Sequence, residues 1–344
     1  MSFDRTKLTR RSLLGAAAGA GALAVLTGAS GEGQASQEPT PDELARRYPH
    51  GPLHSGARGH VDPAVNGFDP DLMLTDFDGG TITRLPGGRV LREWDVVAVQ
   101  KEIEVAPGVR YPAWTYNGRV PGPTFRATQG DRLRIRFRNA TGHPHTMHFH
   151  GIHPSSMDGI PGSGPGGLVE PGSEFVYEFD ATPFGLHLYH CHTFPLATHI
   201  HKGLYGAFVI DPPKPRPPAH ELVMVMNGFD TNFDAANEVY AVNTVAFQYM
   251  HHPIPVRRDE LVRIYLLNLL EFDPINSFHL HANFFDYYPT GTSLTPVELT
   301  DTISQVQGQR GILEVRFPHT GQYMFHAHKT EFAELGWVGL FDVT

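Results

Sequence analysis

Leu186-His187-Leu188-Tyr189-His190-Cys191-His192 holds the only cysteine of a 344-residue chain, set between two histidines. On a β-strand alternate side chains point to opposite faces, so His190 and His192 face one way and Cys191 the other. A thiolate joined by two imidazoles is the trigonal donor set of a blue copper, while imidazoles alone suit copper that meets oxygen. One strand can therefore serve two copper sites connected through three residues of backbone. The competing reading of a lone thiol is a small buried hydrophobe.

Three further His-x-His pairs weigh against that inert reading: His148-Phe149-His150, His279-Leu280-His281 and His326-Ala327-His328. Each sets two imidazoles on one strand face and turns Phe149, Leu280 or Ala327 into a core. The recurrence of such pairs among 21 histidines forms a pattern. The chain contains 36 Gly and 29 Pro and few long helical periodicities, which favours an all-β fold of short strands joined by turns. Its 40% hydrophobic content suffices for a core in each of two domains. A formal charge of −9 gives no basis for a nucleic-acid partner or for binding an anionic membrane surface.

At the N-terminus, Thr9-Arg10-Arg11-Ser12-Leu13-Leu14 precedes an apolar, Ala/Gly-rich stretch to about Leu26. Residues 1–35 read as a twin-arginine signal peptide, too short and glycine-rich for a good membrane span, so the mature chain is expected outside the cytoplasm, periplasmic or extracellular, and free of a membrane anchor. With one cysteine no internal disulfide forms, and the fold rests on its core and on metal. Residues 36–89 read as a polar extension packed on the outside, with a helical suggestion at 42–47. Strands begin near Val90, with Val97-Ala98-Val99 and Ile103-Glu104-Val105 among the first. The run from Asp211 to Pro218 is a stiff proline-rich connection. These marks divide the chain into domain 1 (90–212), a linker (213–220) and domain 2 (221–344).

The two halves repeat each other. Gly130-Asp131 through Asn139 matches Arg258-Asp259 through Asn268, each followed about ten residues on by a His-x-His pair. Gly203-Leu204-Tyr205-Gly206 matches Gly336-Trp337-Val338-Gly339. From His148 to His279 is 131 positions, and from His190 to His326 is 136, a domain-sized offset. The copy departs at the sites: Ala327 stands for Cys191, Asn276 for His145, and no second-half counterpart of His199 is evident.

His145-x-x-His148-x-His150 with His190-Cys191-His192, the two second-half pairs, and Asn117-Gly118-Arg119-Val120-Pro121-Gly122-Pro123 before Gly130-Asp131 together resemble the multicopper oxidases. The resemblance covers roughly residues 90–344 and is to two-domain, laccase-like members whose blue copper lies in the first domain. It implies two cupredoxin-like Greek-key β-sandwiches and four coppers per chain. The type 1 copper would take His145, Cys191 and His199 with Leu204 in the axial position, His201 being the alternative to His199. The type 2 copper would take His148 and His279. The two type 3 coppers would take His150, His190, His192, His281, His326 and His328. It further implies a homotrimer with the three-copper sites between neighbouring chains, and one-electron oxidation of a small reducing substrate coupled to four-electron reduction of O2 to water. Phenols, aromatic amines, cuprous ion and manganous ion all remain open as donors. Proton supply makes Asp158, Glu331 and Glu334 the candidate acids.

Histidines 50, 54, 60, 220, 251 and 252 read as solvated, and His143, His153, His187 and His319 have no matching role. Two other functions compete: a copper nitrite reductase, with one type 2 copper on three histidines, and a periplasmic copper-binding or electron-transfer protein that turns nothing over.

Overall fold

The computed structural model describes residues 60–344. The leader at 1–35 and the helical suggestion at 42–47 lie outside the described residues. The fold is all-β and consists of two cupredoxin-like sandwiches. In the first, one sheet runs in the order Phe77–Asp78, Thr124–Thr128, Tyr205–Asp211, Gly185–His190, His148–Phe149. The other runs Thr81–Arg84, Val90–Ala106, Arg132–Asn139, Glu174–Asp180, with Val109–Tyr116 added to Val90–Ala106. The outer extension is thus partly drawn into the fold: Phe77–Asp78 and Thr81–Arg84 each pair into a first-half sheet.

Val97-Ala98-Val99 and Ile103-Glu104-Val105 are not separate strands but parts of one 17-residue strand, Val90–Ala106. Its first part pairs in parallel with Arg132–Asn139 and its second with Val109–Tyr116, the two pairings meeting at Ala98. Because partners take over from one another without a gap, the polar Gln100-Lys101 stays in the ladder.

The second sandwich repeats the plan. Its sheets are ordered Val239–Val242, His220–Phe229, Val262–Asn268, Arg310–Val315, Phe285–Pro289, Glu298–Thr300, and Ile254–Val256, Val338–Val343, Gly321–His326, Ile275–Leu280, Thr302–Val306. The parallel pair Val90–Ala106 with Arg132–Asn139 has its counterpart in His220–Phe229 with Val262–Asn268. The duplication extends to the residue pairs that carry chemistry: His148 lies opposite His190, and His279 opposite His326.

Strand periodicity sorts side chains into three cores. Along Tyr205–Asp211, Phe208 and Ile210 enter the first sandwich, while Tyr205, Ala207 and Val209 enter a core shared between the halves. Val223 and Val225 meet that shared core from the second half, and Met224 and Met226 turn into the second sandwich. Strands buried on both faces read as continuous apolar runs rather than as alternation. At the edge of this shared core, Arg126 pairs with Asp211 and Glu221, and the almost fully buried Arg263 pairs with Glu221 and Glu314. Arg263 also donates to the Pro217 carbonyl, fixing the proline-rich connection. No helix among the described residues is long and apolar enough to cross a membrane.

Candidate metal centre

Three buried side chains from three elements of the first half converge. His145 is held by reciprocal backbone hydrogen bonds with Val169. Cys191 follows the end of Gly185–His190, and its N–H donates to the Leu204 carbonyl at 2.9 Å. His199 lies in the helix Leu196–His201. The two Nδ1 atoms are 3.0 Å apart, and the Cys191 Sγ lies 3.2 Å from His199 Nδ1 and 3.8 Å from His145 Nδ1. Donors bound about 2.0–2.3 Å from one ion sit roughly 3–4 Å from each other, so the set fits a single soft cation. Burial, followed by His199 and His143, pushes His145 down to about 3, and burial followed by His143 pushes His199 to about 4. Burial raises the Cys191 thiol. Without a cation these are two neutral imidazoles and a thiol whose donor atoms converge on one point. A metal ion held there would ionise the sulfur.

His201 takes no part. Residues two apart on a helix lie about 200° apart around its axis, so His199 and His201 face opposite ways. The His201 Nδ1 is 2.7 Å from the Tyr111 hydroxyl, and its ring packs on Phe233 and Phe272. Leu204 is fully buried in the core that contains Cys191 and carries no donor on its side chain. Its backbone joins the site's elements, accepting from Cys191 and donating to the His199 carbonyl at 3.3 Å.

The paired histidines form two half-clusters. In the first, the rings of His148, His150, His190 and His192 lie 4.9–5.6 Å from their neighbours. In the second, His279, His281, His326 and His328 repeat this at 4.9–5.7 Å. Each half-cluster brings two Nε2 atoms face to face: His150 and His190 at 2.9 Å, His281 and His326 at 3.0 Å. One ring of each opposed pair is anchored through its other nitrogen. His190 Nδ1 meets the Cys191 carbonyl at 2.8 Å and His326 Nδ1 the Ala327 carbonyl at 2.7 Å. A carbonyl demands N–H from Nδ1, which leaves Nε2 as an unprotonated lone pair. In each pair that lone pair faces the partner's Nε2 about 3 Å away, the spacing of two donors on one cation. The donors therefore fit a metal in both halves. Burial first, then His190, holds His150 down at about 2, and burial holds His190 at about 3. No close ring pair among the described residues joins an imidazole of one half-cluster to an imidazole of the other, so within the chain the eight imidazoles stand as two fours.

Of the candidate acids, only Asp158 reaches a histidine: its Oδ1 is 2.9 Å from His148 Nδ1, and its carbonyl 2.8 Å from the same nitrogen. His153, to which the sequence assigned no role, also approaches Asp158, at 3.4 Å. Glu331 and Glu334 are exposed, Glu331 lying 3.3 Å from Lys329, and neither meets an imidazole among the described residues. Phe332, stacked on Tyr240 at 4.0 Å, turns their short helix so that both carboxylates face solvent.

Phe332 also supplies the counterpart of His199 that the sequence reading found missing. Leu204 N–H donates to the His199 carbonyl, and Trp337 N–H donates to the Phe332 carbonyl at 2.9 Å. Cys191 N–H donates to Leu204, and Ala327 N–H to Trp337 at 3.2 Å. The second half thus keeps the frame of the thiolate site and fills it with Asn276, Ala327, Phe332 and Trp337. Counting five residues back from Trp337, as from Leu204, would have found Phe332. Two hydroxyls were missed altogether: Thr146 Oγ1 accepts from His192 N–H at 3.1 Å, and Ser277 Oγ accepts from His328 N–H at 2.8 Å.

Known proteins agree with this geometry. Two multicopper oxidase domain profiles match residues 98–215 and 215–344. A crystal structure of a multicopper oxidase is 61% identical with a TM-score of 0.81, covering 83% of this chain and all of its own. A copper nitrite reductase from Nitrosomonas europaea is 25% identical with a TM-score of 0.68, over 74% of this chain and 94% of that one. The copper-containing nitrite reductase of Neisseria meningitidis serogroup A is 28% identical over 251 residues, 67% of this chain, and the match spans only 63% of that relative's length. With both halves matched by profiles of the same family and a 61%-identical multicopper oxidase structure covering 83% of it, the chain belongs to the multicopper oxidases.

Proposed function

We propose that this chain couples one-electron oxidation of a small reducing substrate to four-electron reduction of dioxygen to water, in the manner of a two-domain laccase. The observation that carries this reading is the repeated pair of opposed Nε2 atoms, at 2.9 Å in one half and 3.0 Å in the other. His145, Cys191 and His199 would hold the type 1 copper with Leu204 in the axial position. His148 and His279 would hold the type 2 copper, and His150, His190, His192, His281, His326 and His328 the two type 3 coppers, four ions per chain in all. Bound copper supplies reversible one-electron storage near each donor set. Cys191 and His190 adjoin in the chain, and the Cys191 carbonyl accepts from the His190 ring, so covalent backbone and one hydrogen bond connect the thiolate to the imidazoles. Asp158 orients His148 and is the acid placed to deliver protons there. Because the two fours stay apart within the chain, completing an eight-imidazole site requires a second copy, in keeping with a homotrimer. Export by the twin-arginine route to the periplasm or beyond belongs to the same proposal.

Nitrite reduction is the second reading, favoured by the similarity to copper-containing nitrite reductases. A type 2 site on three histidines would leave five of the eight paired imidazoles without use, His192 and His281 among them. Oxygen-electrode and nitrite assays on copper-loaded protein decide between them. Four coppers per chain with oxygen uptake supports the oxidase, and two coppers with nitrite turnover overturns it.

A further inference from the structure

Resting on His145, Cys191 and His199 as the blue-copper donors, we propose that a planar aromatic donor stacks on the indole of Trp114 and passes its electron over that ring. His145 is fully buried and His199 is 3% exposed, so the imidazoles themselves offer an incoming molecule almost no surface. Trp114, on the strand Val109–Tyr116, is half-buried. Its ring meets both imidazoles edge-on, 5.0 Å from His145 at 62° and 4.9 Å from His199 at 66°. It also packs on the exposed ring of His143, at 4.9 Å and 35°. The indole is fixed in this position from behind, because its backbone N–H donates to the Lys202 carbonyl next to the helix that bears His199. One residue thus spans from solvent to both nitrogen donors.

The chemistry of that surface selects the donor class. An indole and an imidazole side by side offer π faces, which favour offset or edge-on packing of another ring. A cuprous or manganous donor needs several N, O or S ligands, and among the described residues none of the close-set groups of such side chains includes His143. A phenol docked on Trp114 would lose one electron and release its hydroxyl proton to water, leaving a phenoxyl radical, the electron being taken up by the copper that His145, Cys191 and His199 would hold. An aromatic amine likewise loses one electron and one proton.

The test is anaerobic stopped-flow bleaching of the blue band in the copper-loaded protein, with hydroquinone or with ascorbate as reductant. Trp114→Leu should keep the band yet slow hydroquinone about tenfold, the worth of one aromatic pair, while ascorbate changes less than about twofold. Trp114→Phe should restore most of the hydroquinone rate. An unslowed hydroquinone reaction in the Leu variant, or equal slowing of both reductants, overturns the proposal. A second readout needs no metal. Of the three tryptophans, Trp94 and Trp337 are 4% and 0% exposed, so acrylamide should quench chiefly Trp114 in the copper-free chain. Saturating 1,4-dimethoxybenzene should shield it, and an absence of shielding counts against docking there. Bleaching without oxygen uptake in the wild type would sink the oxidase reading and leave Trp114 standing. Oxygen uptake with an unslowed Leu variant would do the reverse.

Discussion

Cys191 concentrates the chemistry of the first half in one side chain, because its sulfur lies 3.8 Å from His145 Nδ1 and 3.2 Å from His199 Nδ1. Cys191→Ser keeps the size and burial but gives up the thiolate. In copper-loaded protein the blue band should disappear while three of four coppers remain, as read by absorption and elemental analysis. Loss of all copper would mean that the thiolate site and the imidazole clusters are one folding unit. Asp158 acts through His148, and carboxylate partners of metal-binding histidines are commonly worth about 10–100-fold in metal affinity. Asp158→Ala should weaken copper retention by that order in chelator competition and leave the blue band in place. At this scale the sequence was most legible where residue type is rare: a single cysteine, and paired histidines at period two. It was least legible for Thr146 and Ser277, because a hydroxyl beside a ligand is common and only its backbone partner reveals the role.

Strand ends, rather than strand interiors, carry the imidazoles. His190 and His326 are the last residues of their strands, and the ladder ends where the second histidine of each pair begins. A hydroxyl then replaces the missing ladder partner, Thr146 for His192 and Ser277 for His328. Ser277→Ala removes that anchor at a cost of about 1 kcal/mol. It should lower copper occupancy of the second-half cluster, seen by elemental analysis, with an unchanged blue band. Unchanged occupancy would show that the strand alone positions His328. The alternation that gave the His-x-His reading also gave Phe149, Leu280 and Ala327 their places in the cores, all three fully buried. It failed for the six-residue helix Leu196–His201, too short to show a periodicity, which is why His199 and His201 could be separated only by their faces in the structure. It failed again along Val90–Ala106, where pairing with successive partners overrides local polarity.

At the scale of the molecule, burying so many neutral imidazoles makes stability depend on pH. Burial holds His145 and His190 at about 3, His150 at about 2, and His187, His199 and His201 at about 4, all from 6.5. Between those values and 6.5 the unfolded chain binds protons that the folded chain does not, so stability rises with pH across that window. The copper-free protein should be at full stability above about pH 6.5 and lose it steadily toward pH 4. A melting temperature unchanged between pH 7 and pH 5 would contradict the burial of these rings as neutral groups.

The internal repeat foretold two sandwiches of like plan, because it recurs in turn glycines, strands and histidines alike. It could not tell whether the two fours of imidazoles meet within one chain, since that depends on how copies dock. Subunit complementation settles the point. Chains carrying His148→Ala with His150→Ala are co-assembled with chains carrying His279→Ala with His281→Ala, each inactive in oxygen uptake when alone. If a first half of one chain completes its site with a second half of another, mixed assemblies contain some intact eight-imidazole sites and oxygen uptake returns. If the two kinds of chain co-assemble and uptake stays at zero, the three-copper site is not shared between chains, and the proposed arrangement is wrong.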